Sequence, residues 1–344
     1  MRFRSLGRTG WQISEVGFGA WGIGGGWGAL DDTQAIQSLH RYLDLGGNFL
    51  DTAYGYGDGH SEQIIGRVLK ERSSDQAQVY VASKVPPKTF KWPLLPNVDV
   101  RDSFPADWVI QYAERSLKNL NVETLDLLQL HAWTDAYNEQ LDWYEGLVKL
   151  REQGKVRAFG VSINDYVPQS GVRLAQSGRV EAIQVIYNIF EQTPEQALFP
   201  AAQENGVGIL VRVPFEEGGL TGTIRPDTHF HPDDWRGQYF TPERLIDLGK
   251  HMAPLQKLLD ENTVSASESS QKNSSEKTLS LAMLALRFCL HHPAVSSVLP
   301  GMRRLANVDA NMAASDVRLS DVLISELRGS AWQHGWSYPW CEKS

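Results

Sequence analysis

Two cysteines occur in 344 residues, Cys289 inside an apolar helical pattern and Cys341 near the C-terminus. A disulfide-stapled fold is therefore excluded, and both read as reduced thiols without a nucleophile's setting. Basic charge is also short: Lys and Arg number 33 against 41 Asp and Glu, a formal charge of −8, with a pI near 5.6. Such a chain offers no footprint for nucleic acid or an anionic membrane surface. Long apolar runs are missing as well. The longest uncharged run, residues 16–30, carries seven glycines and cannot span a bilayer, and the N-terminal MRFRSLGRTG has no apolar core. The expectation is a cytoplasmic protein without nucleic-acid or membrane partners, monomeric or weakly homo-oligomeric.

What is present is a repeating alternation of short apolar strands and amphipathic helices. Phe3, Trp11 and Ile13 flank the turn Gly7-Arg8-Thr9-Gly10 and predict a β-hairpin; strands follow at 15–19, 48–51, 79–84, 125–130, 158–161, 182–186, 208–213 and 296–299. Helices are predicted at 33–45, 61–72, 105–120, 141–153, 166–175, 195–205 and 279–291. This succession makes a (β/α)8 TIM barrel, read as a single domain over residues 1–344. Two stretches exceed a simple connection and read as loop insertions. Residues 85–105 are irregular and proline-rich; residues 214–275 hold a helical piece near 242–259 and reach into the polar tract SASESSQKNSSEK, expected to be mobile. Residues 319–344 form a C-terminal tail.

Two motifs point to other chemistry. Gly17-Phe18-Gly19-Ala20-Trp21-Gly22 matches the G-x-G-x-x-G of Rossmann domains, yet it opens no helix: four more glycines follow, and the helix starts only near Asp32-Thr33. The acid at the next strand end, Asp51, lies beyond the ~20-residue spacing of a ribose-binding carboxylate. The stretch reads instead as the first strand-to-helix loop, with Trp21 and Trp27 at the rim of a pocket. His229-x-His231 beside Asp233-Asp234 could begin a metal site, but His131 is the only other histidine at a predicted strand end. That is too few for a ligand cage, and no metal is expected.

Chemistry-bearing residues gather at strand ends. Asp51 lies where the second strand opens into a loop, Tyr56 follows in that loop, Lys84 ends the third strand and His131 follows the fourth. The first two alone are weakly specific, since a buried Asp more often caps a helix and Tyr is a common loop residue. Together the four mark the face on which barrel enzymes do chemistry. In order and context they resemble the catalytic tetrad of the aldo-keto reductase superfamily, and the resemblance runs from Arg4 to about Asn311. It implies a hairpin closing the bottom of the barrel and NADP(H)-dependent reduction of a small carbonyl substrate, aldehyde or ketone, to an alcohol. Asp51, Tyr56, Lys84 and His131 would be catalytic, with Tyr56 the general acid. A free phenol titrates near ~10, so Lys84 is expected to lower the Tyr56 pKa, Asp51 to keep Lys84 charged, and His131 to orient the carbonyl oxygen. A second reading is a redox-sensing or regulatory subunit of the same fold that binds the cofactor and turns over slowly.

The resemblance also implies cofactor contacts. Ala20, Trp21, Asp51, Ser162 and Gln184 fall at such positions, the last two as hydrogen-bond partners of the nicotinamide carboxamide. Ile163 stands where the family usually has Asn, so that amide contact is lost unless Asn164 supplies it. Arg212, with Val213, Pro214 and Phe215, replaces the aromatic ring usually stacked on the nicotinamide; a guanidinium either stacks there or turns to Glu216, Glu217 or a substrate carboxylate. Gly301, Arg303, Arg304, Asn307 and Asn311 resemble the adenosine-phosphate segment, where a helix N-terminus with two arginines suits a 2′-phosphate. Read without the resemblance, the two arginines are a solvated face. Trp21, Tyr54 and Trp133 are expected to line the substrate pocket, and Trp332, Trp336, Tyr338 and Trp340 either cover it or simply pack on the barrel.

Overall fold

Short runs that are apolar on both faces become the central strands, because a parallel sheet covered by helices outside and side chains inside has no wet face. The computed structural model describes residues 1–28, 31–74, 77–269 and 279–341. An antiparallel pair, β1 (Phe3–Ser5) and β2 (Gln12–Ser14), comes first. Then follow β3 (Phe18–Gly19), β4 (Phe49–Asp51), β5 (Tyr80–Val85), β6 (Leu125–Leu130), β7 (Val156–Ser162), β8 (Ala182–Ile186), β9 (Gly208–Arg212) and β10 (Val295–Val298). From β3 to β10 the strands are parallel neighbours in chain order within one eight-stranded sheet. The sheet curls until its edges meet: Gly17 N donates to Val298 O at 2.8 Å, Gly19 N to Pro300 O at 3.0 Å and Val298 N to Glu15 O at 2.9 Å. A Cβ on Gly19 would lie 2.6 Å from Leu299 O, so the seam closes only because that position is bare. This arrangement fits the (β/α)8 barrel expected from the sequence.

Amphipathic helices fill the crossovers at Asp32–Asp44, His60–Glu71, Ala106–Leu120, Asp142–Glu152, Leu198–Glu204 and Leu281–His291. The helix expected over 166–175 is shorter. Tyr166 sits at φ 54° and Pro168 follows, so the segment forms a 3-10 turn, Pro168–Gly171, and then only Val172–Gln176. After β9, the helix expected near 242–259 extends over Pro242–Ser269. The remainder of the tract expected to be mobile, 270–277, lies outside the described residues. Among the described residues no helix is long and apolar enough to cross a membrane.

Register decides which polar groups meet. Asp51 pairs with Gly19 and Ala82, Lys84 with Gln129, Ser162 with Gln184, and Ile186 with Arg212, which collects polar side chains at the carboxyl ends of the strands. Leu6 and Ile13 of the hairpin segment are fully buried among Phe49, Ala82, Leu127, Ala158, Ala182 and Leu210.

The tail returns to the barrel through polar anchors. Trp332 N donates to Phe190 O at 2.9 Å and Arg244 Nη1 to Ser337 O at 3.1 Å. Glu216 Oε1 lies 3.1 Å from His334 Nε2 and accepts from Tyr239 Oη at 2.8 Å, while its Oε2 accepts from Asn188 Nδ2 at 3.0 Å. Glu217 Oε1 accepts from Tyr338 Oη at 2.7 Å. Burial pushes both carboxyls up, but the hydrogen bond and charge of His334, with Tyr239 and Asn188, bring Glu216 below its ordinary value. Glu217 is pushed up to about 8 by burial, with the Glu216 charge adding to it against the Tyr338 hydrogen bond. One carboxyl is thus ionised at neutral pH beside a protonated neighbour.

This gives tail docking a pH dependence. The docked state holds the Glu217 proton up to about pH 8, whereas a released tail returns the group toward 4.5. While the lowered value of Glu216 weakens docking as pH falls into the acid range, through Glu217 docking weakens as pH climbs from 4.5 to about 8 and stays at its weakest above that. The expected change is on the order of a few kcal/mol. Limited proteolysis of the tail should accelerate over this range in the wild type and change little with pH in Glu217→Gln; a wild-type rate constant between pH 6 and 9 after correction for the protease would refute it.

Candidate active site

The site is built around a lysine with no access to water. Lys84, last but one in β5, is fully buried, and its ammonium has three acceptors: Asp51 Oδ2 at 2.8 Å, Thr52 O at 2.7 Å and Tyr56 Oη at 3.3 Å. Adjacency of β4 and β5 supplies the first two, and the loop after β4 supplies the third. Burial pulls the ammonium pKa down, but Asp51 and then Tyr56 outweigh it and hold Lys84 above the ordinary lysine value. Tyr56, half-buried, departs from expectation. Burial raises its phenol above the ordinary value, and Lys84 recovers only part of that rise. The hydroxyl therefore keeps its proton through the neutral range while touching a cation that would stabilise the phenolate.

His131 completes the group. Its ring centroid lies 5.5 Å from that of Tyr56, edge to face. Burial first, then the charges of Lys84 and Arg212, hold its imidazole well below the ordinary histidine value, so it is neutral and each ring nitrogen has one role. Nδ1 is buried without a hydrogen-bond partner among the described residues. Asp51, Tyr56, Lys84 and His131 are thus brought together as the sequence predicts. The loop after β3 closes against them: a Cβ on Gly24 would lie 2.4 Å from the Tyr56 carbonyl carbon, and Trp21 faces Tyr56 at 6.4 Å between ring centroids.

The positions expected to contact a cofactor have varied surroundings. Ala20 is buried, its N–H donating to Asp51 O at 2.9 Å. Ser162, the last residue of β7, and Gln184, in the middle of β8, are buried side by side; Gln184 Nε2 donates to Asp51 Oδ1 at 2.9 Å, and its oxygen has no hydrogen-bond partner among the described residues. Asn164 does not replace the missing amide, because it exchanges hydrogen bonds with Leu94 N and O in the insertion after β5. Arg212 turns to neither Glu216 nor Glu217. Its Nη2 donates to Asp165 Oδ1 at 2.7 Å and Ile163 O at 3.0 Å, while its Nε is buried without a partner among the described residues. Pro214 is buried, Val213 and Phe215 are half-buried, and Val213 is held at φ 54°.

Around the helix Leu305–Ala313 the two arginines separate. Arg303 folds back and donates to Trp27 O and Gly28 O, fastening the loop after β3. Arg304 is the N-cap residue, exposed, and no side chain caps that helix start. Gly301 has open space where a Cβ would stand, Asn307 is exposed, and Asn311 is buried with its amide 3.4 Å from Gly301 O.

The expected pocket wall needs correction. Trp133 is fully buried, edge-on to Tyr137 and Trp143 with its indole N–H donated to Ser170 O, so it cannot reach a ligand. A strand-end position told where its backbone lies but not which way the ring turns. Tyr54 is half-buried against Tyr112 at 4.7 Å. Trp21 does stand in an aromatic group, with Trp27, Trp235 and the tail's Trp340 at 5.1, 5.5 and 6.2 Å.

Sequence reasoning missed three neighbours. Gln129 Nε2 donates to Asp51 Oδ1 at 3.3 Å, and its Oε1 is buried without a partner among the described residues. Strand alternation could have found it, since Gln129 shares a face with His131 while the strand's other polar residue, Asp126, points to the opposite face. Trp92, from the insertion after β5, donates its indole N–H to His131 O at 2.8 Å and sets its ring 5.4 Å from the imidazole. Asp165, the partner of Arg212, is the third. Neither of these has a periodic signal. Of the residues weighed as metal ligands, His231 Nδ1 lies 3.5 Å from Asp233 Oδ2 and Asp234 pairs with Arg236 at 2.6 Å; among the described residues no group of three or more ligating side chains forms.

Comparison with known proteins agrees with this geometry. The chain is 31% identical over 312 residues to aldo-keto reductase YhdN of Bacillus subtilis, covering 90% of this chain and 87% of that one. It is 28% identical to the NADH-specific methylglyoxal reductase of Escherichia coli, covering 95% and 97%. Among solved structures, glycerol dehydrogenase AKR11B4 from Gluconobacter oxydans superposes with a TM-score of 0.74 at 28% identity, covering 95% of this chain and 94% of that one. The holo form of aldo-keto reductase AKR11C1 from Bacillus halodurans does so with 0.70 at 26%, covering 96% of each. Residues 15–331 match the Aldo/keto reductase family, and with the whole barrel accounted for, the chain is an oxidoreductase belonging to that family.

Proposed function

We propose that this chain reduces an aldehyde or ketone to the alcohol with NADP(H), and that Tyr56 delivers the proton. One observation carries the reading: the Lys84 ammonium binds Asp51 and the Tyr56 hydroxyl at once, beside a neutral histidine with an unpartnered buried nitrogen. The residues fit a nicotinamide cofactor. Open space before Gly301, an uncapped helix start and the exposed Arg304 suit its phosphates, and the Gln184 oxygen and Ser162 suit its carboxamide. When bound, the reduced form supplies a hydride. Tyr56 gives its proton to the carbonyl oxygen as that oxygen gains charge, and Lys84 stabilises the phenolate left behind. Asp51 keeps Lys84 charged despite burial. His131, neutral, donates a hydrogen bond to the same oxygen and orients the carbonyl. Nothing in the geometry favours a purely regulatory subunit.

The aromatic group at Trp21 and the docked tail support a lid over this opening, with Trp340 5.1 Å from Trp235 and edge-on to Trp21. Flat or apolar carbonyl compounds suit such a rim. The packing of Leu6 and Ile13 among Phe49, Leu127 and Leu210 supports reading the hairpin as the plug of the opposite end.

Tyr56→Phe should lower kcat by ~10²–10⁴-fold and leave the dissociation constant for NADPH within a factor of two or so. Retention of half the turnover where chemistry limits the rate would refute the assignment. NADPH should bind more tightly than NADH, and Arg304→Ala should weaken NADPH by roughly tenfold while sparing NADH, as expected for one charge-assisted contact. Equal affinities in the wild type would contradict it. Truncation after Gly329 should reorder the relative rates over a panel of aromatic and aliphatic aldehydes; an unchanged order would dismiss the lid.

A further inference from the structure

A second cleft, of about 410 Å³, is lined by Arg2, Arg4, Glu15, Arg287, Arg318 and Asp321. Its walls come from β1, from Glu15 ahead of β3, from the last turn of the helix Leu281–His291, and from the segment entering the helix Asp321–Arg328. Because the helix Leu281–His291 feeds the amino end of β10, the cleft sits at the amino ends of the strands, across the barrel from Lys84 and His131.

Its charges do not balance. Four guanidiniums face two carboxylates, an excess of two positive charges on a chain whose formal charge is −8. Glu15, 2% exposed, is shared: Arg4 Nε lies at 3.2 Å, Arg287 Nη1 at 3.0 Å, and Ser315 Oγ donates at 3.0 Å. Arg4 is consumed, since its other nitrogens donate to the carbonyls of Leu290, His292 and Val295, which also satisfies the negative end of that helix. Arg287 is not. It is 7% exposed, and its Nε is buried without a hydrogen-bond partner among the described residues. Burial pushes the Arg287 guanidinium below its ordinary value, Glu15 opposes this, and Arg2 and Arg4 add to it. The side chains of Arg2, half-buried, and Arg318, exposed, have no hydrogen-bond or ion-pair partner among the described residues. Asp321 is engaged only loosely, 4.0 Å from His291.

A buried cation with half a counter-ion is costly, and planar guanidiniums converging on one space match the tetrahedral oxygens of a phosphoryl group. The volume exceeds that of a bare ion and suits a small molecule. We propose that this cleft binds the phosphoryl group of a small phosphorylated molecule, held by Arg2, Arg287 and Arg318, at a site separate from the cofactor region. A phosphate dianion supplies Arg2 and Arg318 with the acceptor they lack and cancels the local excess.

The test is titration calorimetry of the full-length protein, cofactor site saturated, with inorganic phosphate, pyrophosphate and glycerol 3-phosphate, against sodium chloride at matched ionic strength. At least one phosphate compound should bind saturably and sodium chloride should not. Arg2→Ser/Arg318→Ser should weaken that binding at least tenfold, with carbonyl reduction unchanged, and Arg304→Ala should leave it intact. If the double variant fails to fold, Arg318→Ser alone, altering an exposed side chain, carries the comparison with an expected loss of at least threefold. Absence of saturable binding by all three compounds, full affinity in the folded variant, or loss in Arg304→Ala would overturn the proposal.

Discussion

One buried ammonium organises this molecule. Moving such an ion out of water costs several kcal/mol even after relaxation, and removing one partner of a buried pair typically costs ~3–5 kcal/mol. Lys84 is tolerated because three acceptors surround it: the end of β4, the carbonyl that follows, and the tyrosine of the next loop. Asp51 is held in turn. Gln129 from β6 and Gln184 from β8 both donate to its Oδ1, so one carboxylate ties four strands together at the carboxyl end of the barrel. A shift of one residue in β4 against β5 would break all of these contacts at once.

A second constraint lies after β9. Val213, Glu216 and Glu217 all take positive φ, at 54°, 47° and 53°, which non-glycine residues adopt at a cost of about 1–3 kcal/mol each. Asn188 helps impose this conformation, donating to Val213 O and Glu216 Oε2, both at 3.0 Å. The strained turn points two adjacent carboxyls inward, and they anchor Tyr239, His334 and Tyr338. The backbone strain is thus offset by hydrogen bonds that also dock the tail, which joins strand-end geometry to the C-terminal segment.

Fold and centre were legible for different reasons. A parallel strand buried on both faces leaves a run of apolar residues bounded by turns, and the run's last polar residue marks the open end; that signal alone finds Asp51, Lys84 and His131. Orientation is not written that way. Trp133 follows its strand end as His131 does, yet its ring turns into the helical layer, because the space between Tyr137 and Trp143 accepts it. Arg303 and Arg304 are neighbours in sequence with different surroundings, one bound to loop carbonyls and the other exposed. Trp92 reaches His131 from an insertion without periodicity, a contact made by tertiary packing alone.

Arg212 shows how a partner changes the meaning of a charge. Alone, a guanidinium where the family usually stacks an aromatic ring would disfavour a cationic nicotinamide against a neutral one; at ~4 Å and an effective dielectric of ~20 the Coulomb contribution is about 4 kcal/mol. Asp165 at 2.7 Å converts that monopole into a dipole, whose field falls off faster with distance. Nearby groups still feel it: Arg212 helps keep His131 neutral, after burial and Lys84. The arginine therefore acts on the imidazole as well as on whatever lies over the strand ends. It contributes to a histidine that is neutral beside a tyrosine that keeps its proton, the pair on which the proposed division of roles rests.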